Sequence, residues 1–163
     1  MEKRQKKLII PFIALLVLAI LITGIALLVR KYMPSSKEMS LDDYFKVSKG
    51  EMQVILQDQI YDTKALYDNG EIYVDFGLVH DSLNSRFYWD AKENRLLYTT
   101  STAVISAAVD SSDYYTNKSK SSMDYPIVKV SGDNAYVALD YVKQYTALDY
   151  KKYENPDRVV ITY

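Results

Sequence analysis

The sequence predicts an α+β fold: an N-terminal transmembrane helix followed by two hairpin–helix–hairpin (ββαββ-like) repeats. Three observations predict it. An uncharged apolar run extends from Leu8 to Val29. A degenerate copy of Tyr73–Thr99 returns at Tyr136–Thr162, 136 − 73 = 63 residues later. Within each copy a strand-like entry leads into apolar residues at helical spacing, then an aromatic strand, an Asn-containing turn and a closing strand. The resulting organisation is a basic tail over 1–7, a span over 8–29, a spacer over 30–50, a first repeat over 51–102 and a second over 103–163.

The span comes first. Its 29 − 7 = 22 residues make roughly 33 Å of helix at about 1.5 Å each, enough for a hydrocarbon core of about 30 Å and longer than a secretory h-region of about 7–15 residues. Gly24-Ile25-Ala26 is the small-x-small candidate for cleavage, but Leu27, Leu28 and Val29 still follow it. A retained anchor is therefore expected, with a signal peptide as the alternative. Lys3, Arg4, Lys6 and Lys7 precede the span and Arg30, Lys31 and Lys37 follow it. A short basic tail ahead of a first span stays cytoplasmic, which sends the remainder outside the cell membrane as an extracytoplasmic portion; the reverse orientation is the runner-up.

Beyond residue 32 the chain holds 20 − 6 = 14 basic and 21 − 1 = 20 acidic side chains, a net charge of 14 − 20 = −6. That balance disfavours nucleic acid, whose recognition needs clustered basic groups, and close adhesion to anionic lipid. No cysteine occurs, so redox compartment leaves no mark on the sequence.

Pro34-Ser35-Ser36-Lys37-Glu38 is polar and proline-led, as a short spacer is. Ser40 followed by Asp43 fits an N-cap with an acidic residue three positions on, so Leu41–Phe45 forms a helical turn before Gly50, or else an ordered loop. From Met52 to Tyr61 the apolar residues Met52, Val54, Leu56 and Ile60 alternate, the pattern of a half-buried strand or hairpin. Asn69-Gly70 then sits between two apolar runs and tolerates the positive φ of a tight hairpin turn. Ile127–Val130, Ser131-Gly132-Asp133 and Ala135–Val137 repeat the arrangement.

Phe76, Val79 and Leu83, and later Leu139, Val142 and Tyr145, predict two short helices with one inward face each. Closing hairpins follow, Phe87–Trp89 with Arg95–Thr99 and Tyr153 with Arg158–Thr162. Between the copies, Ala103–Val109 reads as a strand and Asp110–Ser122 as a mobile polar loop.

Candidate chemistry is sparse. His80 has no second His or Cys to share a metal with and reads as a surface position of the first repeat helix. Ser, His and acidic residues occur without a Gly-x-Ser-x-Gly context, and Asp42-Asp43 and Glu93 read as solvated turn formers rather than a glycosidase pair. No catalytic residue, metal ligand or cofactor is assigned. The chain does have 16 tyrosines and one tryptophan. Most of these favour strands and core packing, and Tyr88, Trp89 and Tyr153, beside the closing turns, are the candidates for surface recognition of a cell-wall glycan or an envelope protein. Asn117-Lys118-Ser119 matches a glycosylation sequon and is read as coincidental.

With Asn69-Gly70 before Tyr73-Val74, a helix from Phe76, Trp89-Asp90 and the Leu96-Leu97-Tyr98 exit, then Gly132, Tyr136-Val137, Tyr153-Glu154 and Val159-Val160-Ile161, the stretch from about Met52 to Tyr163 resembles the copper amine oxidase N-terminal-like domain of exported Gram-positive proteins. The family usually continues its Val with Pro-Leu-Arg, where this chain has Asp75-Phe76-Gly77 and Ala138-Leu139-Asp140. The resemblance implies a small non-catalytic α+β module without copper chemistry. The whole layout also resembles the membrane-anchored N-terminal region of clostridial cell-wall or spore-germination proteins with a chitinase-like family 18 glycoside hydrolase domain. The Asp-x-x-Asp-x-Asp-x-Glu run of such enzymes is missing here. The functional expectation is thus a module that tethers or positions a partner at the cell wall; the alternative is the anchor region of a cell-wall glycosidase whose catalytic domain lies beyond Tyr163.

Overall fold

The computed structural model describes residues 2–32 and 39–163. The expected spacer Pro34–Glu38 lies outside the described residues. The N-terminal helix and the compact unit Ser40–Tyr163 are separate bodies.

Helix α1 spans Glu2–Tyr32, 31 residues and about 46 Å long at 1.5 Å per residue. Its stretch Leu15–Tyr32 is long and apolar enough to cross a membrane, and the side chains there are exposed. Thr23 donates its hydroxyl to the Ala19 carbonyl at 2.8 Å, which satisfies a polar group within an apolar helix.

In the second body Ser40 caps α2 (Leu41–Phe45), its hydroxyl accepting the Asp43 N–H at 3.1 Å. Lys46 ends the helix at φ 48°, its N–H on the Asp42 carbonyl. Phe45 is buried, and Lys64 donates to the Phe45 carbonyl at 3.0 Å and to Gln53 Oε1. These contacts bind the helix to the strands that follow.

β1 (Glu51–Leu56) turns through Gln57 and Asp58, both at positive φ, into β2 (Gln59–Ile60). The expected alternation fails at Gln53, which is 1% exposed. Its amide donates to the Val54 and Tyr61 carbonyls at 2.9 and 2.7 Å, so a polar side chain is accommodated at a position buried among neighbouring strands.

β3 (Ala65–Asp68) and β4 (Glu71–Asp75) meet at Asn69-Gly70, with φ of 52° and 93° as a two-residue turn of this hand requires. Asp75 caps α3 (Phe76–Leu78), which widens into a π-helical turn over Val79–Leu83. Then come β5 (Phe87–Asp90), β6 (Arg95–Thr99), β7 (Val104–Ala108), β8 (Asp113–Thr116), β9 (Ser119–Ser122), β10 (Val128–Ser131), β11 (Asn134–Ala138), α4 (Leu139–Lys143), β12 (Asp149–Tyr153) and β13 (Arg158–Thr162).

The strands form two sheets. One runs β10-β11-β4-β3-β1-β13-β12, with β2 on β1; the other runs β5-β6-β7-β8-β9. The fold is therefore a β-rich α+β domain, and its sheets do not divide into two separate ββαββ units. β4 pairs with β11, while β5–β6 and β12–β13 go to different sheets. The stretch expected as a mobile loop over Asp110–Ser122 is corrected: it holds β8 and β9, because Tyr114, Tyr115 and Thr116 favour a strand and Asn117, at φ 56°, supplies the turn.

Side chains from both sheets and the helices share one core, including Val54, Val74, Leu78, Phe87, Leu96, Leu139 and Ile161. Much of the tyrosine surplus lies inside it: Phe87, Tyr98, Tyr145, Tyr141 and Tyr114 form a chain of ring contacts with centroids 4.5–5.5 Å apart. Burial, helped by Glu71, Asp68 and Asp110, pushes the Tyr73 hydroxyl up to about 12.

Candidate functional site

Tyr88 and Trp89 are adjacent on β5, and strand geometry sends adjacent side chains to opposite faces. Phe87 and Trp89 face inward, Phe87 fully buried and Trp89 packed against the core with its ring 6.5 Å from Phe76. Tyr88 faces outward and is 50% exposed.

His80, expected on the surface, is half-buried. The π-helical turn brings its ring onto Phe76 (5.8 Å, interplanar 24°) and beside Tyr88 (5.7 Å). Its Nδ1 donates to the Phe87 carbonyl at 2.7 Å, leaving Nε2 4.0 Å from the Asp81 carboxylate. The histidine thus satisfies a carbonyl on the edge strand, a structural duty hidden in the sequence because it depends on a widened helical turn.

Tyr153 lies in the other sheet. Its half-buried ring sits between the Lys151 ammonium (5.0 Å) and the Arg158 guanidinium (4.7 Å), and it shares no ring contact with Tyr88 or Trp89. The three sequence candidates therefore occupy an outward sheet face, the margin of the core and a cation-flanked strand end.

The outward face of the five-stranded sheet contains a row that sequence reasoning missed. Tyr88 pairs with Leu97, Leu97 with Ser106, Ser106 with Tyr115 and Tyr115 with Lys120, so one side chain from each of five strands lines up on one face. Beside this row a groove of about 420 Å³ is bounded by Arg95, Ser106, Ala108, Asp113 and Tyr115. Two of its charges, Arg95 and Asp113, are paired. Asp90 accepts the Lys92 and Glu93 N–H groups and the Arg95 guanidinium, at 3.2–3.3 Å; these bonds outweigh its desolvation and hold the carboxyl below its ordinary value. Asp113 is held low by hydrogen bonds from Lys120 (2.7 Å) and Ser122 (2.5 Å). The available signal was the Tyr114-Tyr115-Thr116 run before Asn117, masked by the serines around it.

Among the described residues no group of three or more His, Cys, Asp or Glu could hold a metal ion. His80, already bonded through Nδ1 and with one carboxylate near Nε2, does not fit a copper ligand set. No curated protein and no solved structure matches the chain. The profile of the copper amine oxidase N-terminal domain matches residues 53–161, that is 161 − 52 = 109 of 163 residues. A match over most of the chain, on the hairpins and helices just described, means that this protein belongs to the copper amine oxidase N-terminal domain family, a generally non-catalytic domain type.

Proposed function

We propose that the chain is a single-pass, non-catalytic module whose C-terminal domain lies outside the cell membrane and tethers or positions a partner at the cell wall through glycan contact. The observation that carries this reading is the union in one chain of a helix whose stretch Leu15–Tyr32 is long and apolar enough to cross a membrane with a domain of a generally non-catalytic family. An apolar helix with exposed side chains is stabilised by lipid, and paired surface charges beside outward tyrosines suit polar, uncharged polymers better than polyanions.

The absence of cysteine from the sequence makes topology directly testable. In intact cells after wall removal, Lys118→Cys, at the exposed β8–β9 turn, reacts with a membrane-impermeant maleimide, whereas Gln5→Cys reacts only after lysis. The opposite pattern reverses the orientation.

The reading includes an internal duplication. What supports it is register: the pair Leu66↔Tyr73 has its counterpart 63 residues on in Lys129↔Tyr136 (129 − 66 = 63), and Phe87↔Tyr98 has its counterpart in Tyr150↔Ile161 (150 − 87 = 63). Where β4 meets β11, Val74 pairs with Val137, its own counterpart (137 − 74 = 63). An antiparallel pair centred on equivalent residues has a local two-fold axis between them.

A further inference from the structure

We propose that the outward face of the five-stranded sheet is a platform for an uncharged, extended β-linked glycan chain, with Tyr88 and Tyr115 as stacking rings and the Ser106–Ala108 groove as the seat of a sugar. This deepens the wall-glycan reading above and rests on it.

Exposure is the first argument. Tyr73, Tyr98, Tyr136 and Tyr141 are 1–8% exposed, whereas Tyr88 and Tyr115 are 50% and 44% exposed on one face of one sheet. Outward tyrosines present an apolar ring and a wettable hydroxyl, the combination that a sugar's C–H face and its equatorial hydroxyls engage together. Spacing is the second. The two rings are separated by β6 and β7, hence by three strand steps of about 4.8 Å, or roughly 14 Å. That is the length of a short oligosaccharide rather than of one pyranose ring.

Leu97 and Ser106 lie between the two tyrosines in the row, and the face is hollowed at the Tyr115 end. Ser106 is half-buried and Ala108 exposed, so small side chains leave the groove of about 420 Å³ beside Tyr115. Its rim supplies hydrogen-bonding groups: Ser106 and Ser111 hydroxyls, the Arg95 guanidinium and the Glu93 and Asp113 carboxylates. Specificity in such a site comes from a few polar groups set against an apolar wall.

Charge decides the ligand class. Arg95 is paired with Asp90 and Lys120 with Asp113, and Glu93 adds a negative charge at the rim. A polyanion would meet no free cationic array here, whereas a neutral polyol finds donors and acceptors already held in place. A second groove, about 280 Å³ between α2 and the β12–β13 turn, is lined by Asp42, Lys46, Lys49 and Asp157, among others, with no aromatic ring. It lacks the stacking element.

The test titrates the full chain in detergent micelles with chitohexaose by calorimetry, and measures co-sedimentation with insoluble peptidoglycan. The unaltered chain is expected to bind both. Tyr115→Ala and Tyr88→Ala are each expected to weaken chitohexaose binding about three- to tenfold, the scale of one aromatic stacking contact. Ser106→Trp, which fills the groove, weakens it as well, and Tyr153→Ala leaves it unchanged. A near-ultraviolet circular dichroism spectrum confirms that each variant is folded. Glycan binding that Tyr153→Ala abolishes while Tyr88→Ala, Tyr115→Ala and Ser106→Trp leave it intact overturns the platform and keeps the wall-glycan reading. Absence of binding to both probes by the unaltered chain sinks the two together.

Discussion

The hairpins β5–β6 and β12–β13 carry matching cross-strand registers 63 residues apart, yet they belong to different sheets and present different chemistry. β6 continues after a short connection into β7 and then β8 and β9, an antiparallel meander of sequence neighbours. β13 instead lies parallel to β1, with Gln53 opposite Arg158 across 158 − 53 = 105 residues. A hairpin's internal pairing is local, but its free edge takes whichever strand the rest of the chain delivers. The surfaces diverge correspondingly: Tyr88 and Trp89 have Lys151 and Lys152 as their counterparts (151 − 88 = 63). Lys152 lies 3.8 Å from the centroid of Tyr67, and Lys151 lies over Tyr153. One hairpin contributes an aromatic surface residue where the other places cations against rings.

The largest test of this contrast replaces the counterparts Phe87 and Tyr150. Phe87→Ala removes a fully buried ring and is expected to cost about 3–5 kcal/mol. Tyr150→Ala removes a half-buried ring and its 2.6 Å hydrogen bond to Asp140, for about 1–2 kcal/mol. Denaturant unfolding measures both, and equal losses would mean that the two hairpins are equally embedded.

Within β5 itself, Trp89→Ala is expected to cost about 2–3 kcal/mol, below the full core range because its ring is half-buried, whereas Tyr88→Ala stays within about 0.5 kcal/mol. Reversed magnitudes would put the wrong one of the two on the core side. A smaller effect is expected at Tyr153, where alanine removes contacts of a half-buried ring with Lys151 and Arg158 worth about 0.5–1 kcal/mol.

The smallest effect is a pH dependence shared by the two sheets to which these hairpins belong. Hydrogen bonds from Lys120 and Ser122 depress Asp113, and a hydrogen bond from Lys143 depresses Asp149, each below the ordinary 3.8. A carboxyl whose folded pKa is depressed stabilises the fold above its unfolded value, and that contribution is lost as pH falls through the folded one. The melting midpoint should therefore fall slightly as pH drops below about 4, and Asp113→Asn should flatten part of that slope. A slope unchanged by the substitution would remove Asp113 from the account.

Several features were legible in the residues because they depend on near neighbours. Ser40 and Asp43 define a cap within one turn, Asn69-Gly70 a hairpin of two residues, and Leu8–Val29 an apolar run whose length alone marks a membrane-spanning candidate. The paired strands of both closing hairpins were readable for the same reason. The Tyr114–Thr116 strand was obscured, since serine, aspartate and lysine around it carry the composition of a loop.

By itself, then, the sequence determined the apolar helix, the turns, the hairpins and the family to which their order corresponds, all of them encoded in short-range pattern. Tertiary structure alone decided that Gln53 is buried among strands, that His80 bonds the Phe87 carbonyl, that Trp89 faces inward while Tyr88 faces out, and that Tyr88 and Tyr115 share a row. The physical reason is strand partnership. A side chain's face follows from alternation within its own strand, but what it faces and which rings lie beside it depend on strands brought together from distant parts of the chain.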